Sequence, residues 1–281
     1  MPIDIERVLG VSLAETTESW DEDRVILYQI GVGAGVPATD PDELRYVYEA
    51  DLKVLPSFVT IPAMSSMFGI GAVEGLTFNT VLLVHGDQEV VIHRALPTSA
   101  TVKQTGRIAE IWDKGKGALV VIEVVGRDAN GDPLYTARSG LYLRGEGGFG
   151  GPSGPRAGDT APDREPDLMV ESPTLEQQAL LYRLNGDKSP LHADPAVAAM
   201  AGFPRPILHG LCTYGIVCKA AVDGVFEGDV SRVRAYRARF SKPVIPGQTI
   251  LTSLWRQGDR VILRASVKET GQVVLTNASI R

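Results

Sequence analysis

The sequence predicts an α+β protein made of two similar halves. Each half contains a tyrosine with a glycine-containing loop, then a region of helical periodicity, and then a series of strands. Helices and strands that occupy separate stretches are typical of the α+β class. The shared order, at an offset of roughly 150 residues, indicates an internal duplication. We therefore divide the chain into a first repeat (1–150), a linker (151–167) rich in Gly, Pro and charge, and a second repeat (168–281).

The helical part of the first repeat is predicted to be irregular. Asp40 precedes Pro41 and is suited to cap a helix start. Residues 55–72 are apolar but are interrupted by Pro62 and several glycines, which predicts a broken helix. The GVGAG run at 31–35 lacks the spacing of known phosphate-binding loops, so we interpret it as a flexible or closely packed loop.

Strands follow in the first repeat, where β-branched and aromatic residues alternate with turn residues. The turns are predicted at 85–87, 114–117 and 130–133. This pattern predicts an antiparallel meander of about five strands. The predicted strands are 78–84, 89–96, 99–112, 118–125 and 135–143.

The second repeat begins with a turn-rich run and then a long helix. Asp194 and Pro195 are suited to the N-cap and first position of a short helix. From Gly210 onward, apolar residues recur every three or four positions, which predicts a helix with a buried stripe. The strands predicted after it are 230–240, 249–256, 260–268 and 273–280.

A candidate site is concentrated in the turn-rich run. Asp187 and His192 lie five positions apart on it, and His209 stands beside Gly210 where the helix begins. A helix start has free backbone N–H groups that can hold a partly negative oxygen. An acid, an imidazole and such a helix start can together move protons beside a developing oxyanion. We expect His209 to have a structural role, with its ring bonded to the backbone near the helix start.

Only the second repeat carries this acid and imidazole pair. When Tyr28 is aligned with Tyr182, the first repeat has glycine and alanine where the second has Asp187 and His192. We therefore expect the first repeat to do something else, such as shaping a pocket for a large substrate. The chain lacks the C-x-x-C and H-E-x-x-H spacings of common zinc sites, so no metal is expected.

Two sequence runs resemble a known family. YRLNGDKSPLHADP, followed by GFPRPILHGLCTYG, resembles the hydratase 2 motif of the MaoC-like (R)-specific enoyl-CoA hydratases. The first repeat is similar to the N-terminal half of the duplicated form, the hydratase region of the peroxisomal multifunctional enzyme type 2, through VLLVHGDQ, WDKGKG and GGFGG. The resemblance implies a double hot-dog fold, in which each repeat is a curved antiparallel sheet wrapped around a helix.

The resemblance also implies a reaction and its residues. The reaction is (R)-specific hydration of trans-2-enoyl-CoA to (3R)-3-hydroxyacyl-CoA, and the reverse, in fatty acid metabolism and without a cofactor. Asp187 and His192 match the catalytic pair, and Gly210 matches the glycine whose N–H binds the thioester oxygen. Ser189 stands where the family usually has an Asn that helps to hold the water. The positions that match CoA-ester contacts are His85, Gly86, Lys114, Phe240 and again Gly210.

Several alternatives stay open from the sequence. One is a dehydratase acting on acyl-carrier-protein or steroid side-chain thioesters. Another is a non-catalytic acyl-CoA-binding subunit, which Ser189 keeps possible, and a third is a thioesterase of the same fold. The sequence does not decide whether Asp187 or His192 activates the water. By resemblance we expect a homodimer.

Composition limits the partners and the location. With 281 residues, 44% of them hydrophobic and 22% charged, the chain is typical of globular proteins. Its net charge of -6 argues against nucleic acid as a partner. No apolar run reaches the roughly 18 residues of a membrane span, and no signal-peptide pattern is visible. Cys212 and Cys218 are expected to be buried free thiols. These features predict a cytoplasmic protein.

Overall fold

The structure, a computed structural model, describes residues 3–155 and 158–281. Two positions of the predicted linker, Arg156 and Ala157, thus lie outside the described residues. The strands of the first repeat are β1 (Thr16–Trp20), β2 (Leu83–Ile92), β3 (Ala100–Asp113), β4 (Gly117–Arg127) and β5 (Pro133–Arg144). Those of the second are β6 (Leu168–Pro173), β7 (Ala235–Phe240), β8 (Thr249–Gln257), β9 (Arg260–Val267) and β10 (Val273–Ile280).

All ten strands join one antiparallel sheet, whose order is β1-β3-β4-β5-β2-β7-β10-β9-β8-β6. The order of the second repeat mirrors that of the first, so β2 and β7 occupy equivalent places. These two strands pair with each other, with Val91 opposite Ala235 and Asp87 opposite Arg239. The repeats therefore meet at a β2–β7 junction, and the sheet continues across it without a break.

Helices pack against one face of this sheet. The longest, α7, is buried over most of its length, and a helix that is apolar all round belongs in a core. In the first repeat the broken helix is confirmed: α4 is flanked by 3-10 turns at Pro56–Val59 and Phe68–Ala72. The helices are α1 (Ile5–Val8), α2 (Glu22–Gly31), α3 (Pro41–Leu44), α4 (Thr60–Met67), α5 (Gln178–Tyr182), α6 (Pro195–Met200) and α7 (Gly210–Phe226).

The predicted helix caps and thiols are confirmed. The Asp40 side chain accepts a hydrogen bond from the N–H of Asp42, and the Asp194 side chain accepts one from Ala196. Cys212 and Cys218 are both free and buried. None of the helices in the described ranges is long and apolar enough to cross a bilayer.

The turn predicted at 85–87 is wrong. These residues lie inside β2, where the register against β5 shifts between His85 and Asp87 and leaves Gly86 as an extra residue. A glycine followed by an aspartate is also typical of turns, which is why the sequence misled. In the fold, Gly86 is needed because a Cβ there would lie 3.3 Å from the carbonyl oxygen of Gly140. The residue forms a β-bulge, a feature that often re-aims a neighbouring side chain.

Other boundaries also differ from the prediction. The strand predicted at 78–84 contains a 3-10 turn at Thr80–Leu82 and joins β2 only from Leu83. The start of the strand predicted at 230–240 is a 3-10 turn at Val230–Arg232. Strands β1 and β6 and helix α2 were not predicted. Both strands are short, five and six residues, and each pairs with one neighbour only. A short edge strand carries too few residues for a clear alternation pattern.

The linker packs on the sheet rather than hanging free. The Asn277 side chain donates to the carbonyl of Gly158 (3.0 Å), and Asp159 forms an ion pair with Arg260 (2.7 Å). Farther along, the Trp255 indole N–H donates to the carbonyl of Arg164 (2.9 Å). These contacts, on β10, β9 and β8 in turn, carry the chain across the second repeat towards β6.

Candidate active site

The loop that carries Asp187 and His192 is fixed by local hydrogen bonds. It begins where α5 ends, with the Asn185 amide donating to the carbonyl of Tyr182 (3.0 Å). Gly186 has φ 129°, in the region that favours glycine, and this lets the chain reverse before Asp187. A carboxylate oxygen of Asp187 then accepts the N–H of Ser189 at 3.0 Å. The aspartate is therefore held in place by its own turn.

The structure brings the side chains of Asp187, His192 and His209 together. One polar atom from each lies within 4.8 Å of the others. Two hydrogen bonds of about 2.8 Å through one shared water can join atoms up to about 5 Å apart. The carboxylate and the imidazole predicted as the catalytic pair are thus close enough to hold a single water between them.

The hydrogen bonding of His192 indicates its protonation state. Its Nδ1 lies 2.8 Å from the carbonyl oxygen of Ile207, and a carbonyl can only accept, so Nδ1 carries the proton. Nε2 is then the free lone pair in the neutral ring. Burial lowers the pKa of His192 below its ordinary value, against the opposing effects of the Ile207 bond and the Asp187 charge. Nε2 is consequently a base that stays unprotonated near neutral pH.

His209 supports this pair. Its ring stacks on that of His192, with centroids 3.7 Å apart and planes at 26°. Its Nε2 donates to the backbone carbonyl of Asp187 at 3.2 Å, and Tyr182 packs against it at 5.0 Å. Burial, and then the neighbouring His192, lower the pKa of His209. His209 therefore contacts both members of the predicted pair, because its ring stacks on His192 and its Nε2 bonds the backbone carbonyl of Asp187.

Gly210 opens α7 beside these residues. No side chain caps the helix, so the N–H groups of its first turn are left without that kind of partner. A Cβ at Gly210 would lie 3.3 Å from the ring of Phe240, which is tighter than ordinary contact. Glycine therefore allows the helix start to approach Phe240 of β7 closely.

The first repeat contributes His85 to the same neighbourhood. Its ring lies 5.1 Å from the ring of Phe240 in an edge-on arrangement. Burial lowers the pKa of His85 to about 4, partly opposed by hydrogen bonds at Asp87 and Gln88 and by the charge of Asp187. Its Nε2 is buried without a hydrogen-bond partner among the described residues. His85, Phe240, Gly210 and Asp187 therefore form a continuous group that spans the β2–β7 junction.

The remaining predicted residues are placed differently. Ser189 lies on the Asp187 turn, and Gly86 is the bulge beside His85. Lys114 lies in the turn between β3 and β4, where its ammonium donates to the carbonyl of Ser153. Within residues 3–155 and 158–281, no hydrogen bond or ion pair connects Lys114 to the Asp187 loop. The structure therefore does not bring Lys114 into contact with the pair.

Arg183 is not among the predicted site residues. One of its guanidinium nitrogens donates to the carbonyl of Lys188 at 3.1 Å, which ties together the two sides of the turn that holds Asp187. Its positive charge also contributes to lowering the pKa of His192 and His209. The only sequence signal was its place within YRLNGD.

A carboxylate and two imidazoles are also a set that can bind a divalent metal. Here each imidazole already uses one nitrogen on a backbone carbonyl, which leaves His192 Nε2 and His209 Nδ1 as the free lone pairs. The donor set alone would admit a metal, so the metal-free expectation stays a prediction that a chelator can test.

Comparison with known families gives two adjacent matches. The description MaoC like domain matches residues 158–278, and the description MFE-2 hydratase 2 N-terminal domain matches residues 19–145. Enoyl-CoA hydratase ChsH3 of Mycobacterium tuberculosis is 44% identical over 93% of this chain and 92% of its own length. The mouse peroxisomal multifunctional enzyme type 2 is 40% identical over 97% of this chain, which spans 38% of that longer enzyme.

Solved structures agree with these matches. A MaoC-like dehydratase from Phytophthora capsici superposes with a TM-score of 0.88 at 30% identity, covering 99% of this chain and 98% of that one. A Mycobacterium tuberculosis protein described as a double hotdog fold gives a TM-score of 0.59 at 13% identity, covering 98% and 96%, which supports the fold alone. The predicted family and double hot-dog fold are thus confirmed: the chain belongs to the MaoC-like hydratases, in the duplicated form with an MFE-2 hydratase 2 N-terminal domain.

Proposed function

We propose that this protein adds water to trans-2-enoyl-CoA to give (3R)-3-hydroxyacyl-CoA, and catalyses the reverse dehydration, in fatty acid metabolism. Relatives named enoyl-CoA hydratase and 3-hydroxyacyl-thioester dehydratase support this hydro-lyase reaction. The observation that carries the proposal is the convergence of Asp187 and His192 within 4.8 Å beside the uncapped start of α7.

The chemistry follows from that arrangement. A water held between Asp187 and His192 loses a proton to one of them, its oxygen forms a bond to C3, and C2 receives a proton from the pair. His192 Nε2 is suited to accept because its Nδ1 proton is fixed on Ile207. Each such proton transfer is typically worth about 10²–10⁴-fold in rate. Because both groups can reach the shared water, either can be the base.

The thioester oxygen needs a donor as charge moves onto it. In our proposal the N–H of Gly210, at the start of a 17-residue helix, fills this role with the help of the helix dipole. Losing one such donor costs roughly 3 kcal/mol. Ser189 is proposed as the third contact of the water, since its N–H already bonds the Asp187 carboxylate and its side chain leaves the same turn.

The rest of the substrate is proposed to lie across the repeats. His85, Gly86 and Phe240 would contact the CoA ester at the β2–β7 junction, and Lys114 would meet a CoA phosphate, where a cation is favourable. The acyl chain would extend into the first repeat (1–150), past the broken helical segment that contains α4. We further propose that the linker (151–167) connects the first repeat to a catalytic second repeat (168–281). We also propose that the protein is a cytoplasmic homodimer.

An absorbance assay tests the reaction. With crotonyl-CoA and decenoyl-CoA as substrates, the absorbance of the conjugated enoyl thioester should fall. Chiral analysis should then identify the product as the 3R isomer. If free CoA thiol accumulates instead, the protein is a thioesterase. If neither occurs and the substrate still binds, it is a non-catalytic acyl-CoA-binding subunit. Parallel assays with acyl-carrier-protein and steroid side-chain thioesters decide between the remaining substrate classes, and EDTA should leave the activity unchanged.

A further inference from the structure

A groove lined with arginines lies at the other end of the β2–β7 junction. The cavity has a volume of about 450 Å³. This is within the range of small-molecule sites, roughly 300–1,000 Å³. Both repeats contribute to it, since Val91 and Ile92 come from β2 and the other residues from the second repeat. The lining residues are Val91, Ile92, Arg232, Arg234, Ala235, Asp259 and Arg281.

The groove is separate from the candidate active site. It is at the start of β7, where Ala235 pairs with Val91, whereas the site is at the end of β7, at Phe240. A strand rises about 3.3 Å per residue, so the two places lie roughly 15 Å apart along the junction. A ligand in the groove would therefore not occupy the position proposed for the thioester.

The arginines of the groove form no close ion pair among the described residues, and the one nearby carboxyl there that their charge affects is Asp229, whose pKa is lowered by its hydrogen bonds and in part by Arg232. Within the described ranges, the side chains of Arg232, Arg234 and Arg281 form no ion pair and no hydrogen bond. Arg94, by contrast, contacts Asp128 at 2.8 Å, and Arg260 contacts Asp159 at 2.7 Å.

The backbone holds two of these like charges side by side. The N–H of Arg234 donates to the carbonyl of Arg281 at 2.6 Å, and the N–H of Arg281 donates to Ala235 at 3.0 Å. Arg281 lies directly opposite Ala235, with which it exchanges both backbone hydrogen bonds, so Arg234 is its diagonal neighbour. The side chains that line the groove include three guanidinium groups and one carboxylate, Asp259, on a chain whose net charge is -6. Three guanidinium groups that line one groove are suited to hold an anion.

The groove also has ordered and apolar parts. The guanidinium of Arg232 lies 5.2 Å from the centroid of the Phe226 ring, and this contact restrains it. A smaller groove adjoins the first and shares Ile92 and Arg234 with it. Its other walls include the apolar side chains of Val54, Pro56, Leu96 and Val233. A charged end and an apolar end therefore lie next to each other.

We propose that this groove binds a phosphate-bearing small molecule of nucleotide size. The planar guanidinium fork matches phosphate oxygens, and a diphosphate carries enough charge to engage several arginines at once. The apolar part of the ligand would rest against Ile92 and the adjoining groove. The phosphate can come from a free nucleotide or from the nucleotide portion of a CoA molecule, and the two sources are separable by experiment.

Isothermal titration of the full chain tests this, with inorganic pyrophosphate, ADP and adenosine 3′,5′-bisphosphate as probes at near-physiological salt. We expect saturable binding with a Kd below about 1 mM for at least one nucleotide. The double variant Arg234→Ala/Arg281→Ala should weaken it by about tenfold or more. Tighter binding of ADP indicates a free nucleotide, and tighter binding of the 3′,5′-bisphosphate indicates the CoA-derived group.

Arg127→Ala is the matched control, because this exposed arginine donates to the carbonyl of Gly131 and lies outside the groove. Should the double alanine variant unfold, Arg234→Gln/Arg281→Gln removes the same charges with less loss of bulk. The proposal is overturned if no probe saturates, if the double variant binds as the wild type does, or if Arg127→Ala or Lys114→Ala causes an equal loss. Since the readout is binding alone, hydratase activity does not enter the test.

Discussion

The segments that follow Tyr28 and Tyr182 are equivalent in the two repeats but make different kinds of contact. Both tyrosines are fully buried, and their ring centroids are 6.1 Å apart across the interface. After Tyr182 the chain turns outward and presents Asp187 and His192. After Tyr28 it docks on the second repeat: the carbonyl of Gly31 accepts hydrogen bonds from the Gln178 amide (2.7 Å) and the Cys212 thiol (3.3 Å).

The first repeat thus uses its backbone groups to hold the second in place. Gly31 is suited to this because a Cβ there would lie 3.1 Å from the Asn185 amide of the catalytic loop. The buried Gln29 side chain also accepts the N–H of Leu55 at 2.8 Å and binds the carbonyl of Tyr46, which braces the same region. In our proposal one copy of the duplication supports the site, and the other supplies the reacting groups.

The largest expected effect is on the reacting groups. Asp187→Asn and His192→Ala should each lower kcat by about 10³-fold or more, because each removes a proton-transfer group. The measurement is the enoyl-CoA absorbance assay, together with circular dichroism to show that the fold is intact.

Asp40→Ala in the first repeat is the matched control, since Asp40 is a helix cap and not a site residue. It should cost about 1 kcal/mol of stability and leave kcat unchanged. Equal losses of activity in all three variants would contradict the division of labour between the repeats.

The contact between the repeats should be sensitive to one methyl group. In Gly215→Ala, the added Cβ would lie 2.5 Å from a Val32 methyl carbon and 2.6 Å from the Tyr28 hydroxyl. Overpacking of this kind costs about 1–3 kcal/mol, to be measured by urea unfolding. Gly71→Ala, where no atom lies within 4 Å of the added Cβ, is the control and should change stability little. A stable Gly215→Ala variant would mean that α2 and α7 can slide apart freely.

Arg183 is expected to act as a positioning residue. Arg183→Gln removes the bond to the Lys188 carbonyl and a positive charge beside the imidazoles. We expect kcat to fall by about fivefold to tenfold, which corresponds to the loss of roughly one ordinary hydrogen bond. Because the charge lowers the pKa of His192, its removal should move the acidic limb of the pH–rate profile upward. Arg183→Lys should restore the limb; a profile that stays fixed in Arg183→Gln would rule out the electrostatic role.

The smallest effect concerns His85 and pH. Burial lowers the pKa of His85 to about 4, whereas an imidazole in the unfolded chain titrates near 6.5. As pH falls from about 6.5 towards 4, the unfolded chain binds a proton that the folded chain does not. The free energy of unfolding should therefore decrease over this window. His85→Gln should flatten that decrease in urea titrations at several pH values, and an unchanged slope would show that His85 is not held neutral by the fold.

Local patterns along the chain predicted much of this molecule. The strand predicted at 273–280 is β10, and the helix predicted from Gly210 is α7. Asp187 and His192 could be found because they sit in one compact motif. The pairing of β2 with β7 could not be found, because it joins residues that are far apart in sequence and depends on the packing of both repeats.

The supporting residues of the site were harder to predict for the same reason. His209 stacks on His192 only once α7 has docked beside the catalytic loop, and His85 reaches the site only through the bulge at Gly86. Neither contact leaves a periodic signal in the sequence. The bulge itself has the composition of a turn, and it was therefore misread.

The mirrored strand order on either side of β2 and β7 makes the chain equivalent to a tethered symmetric pair. Separated from each other, β2 and β7 would each expose a row of unpaired backbone groups, the kind of edge that associates readily. A proteolytic cut in the connecting segment should therefore leave the two fragments bound to each other, co-migrating in gel filtration. The hydrogen bonds of the β2–β7 junction hold the two repeats together, and the covalent connection ensures that each first repeat pairs with its own second repeat.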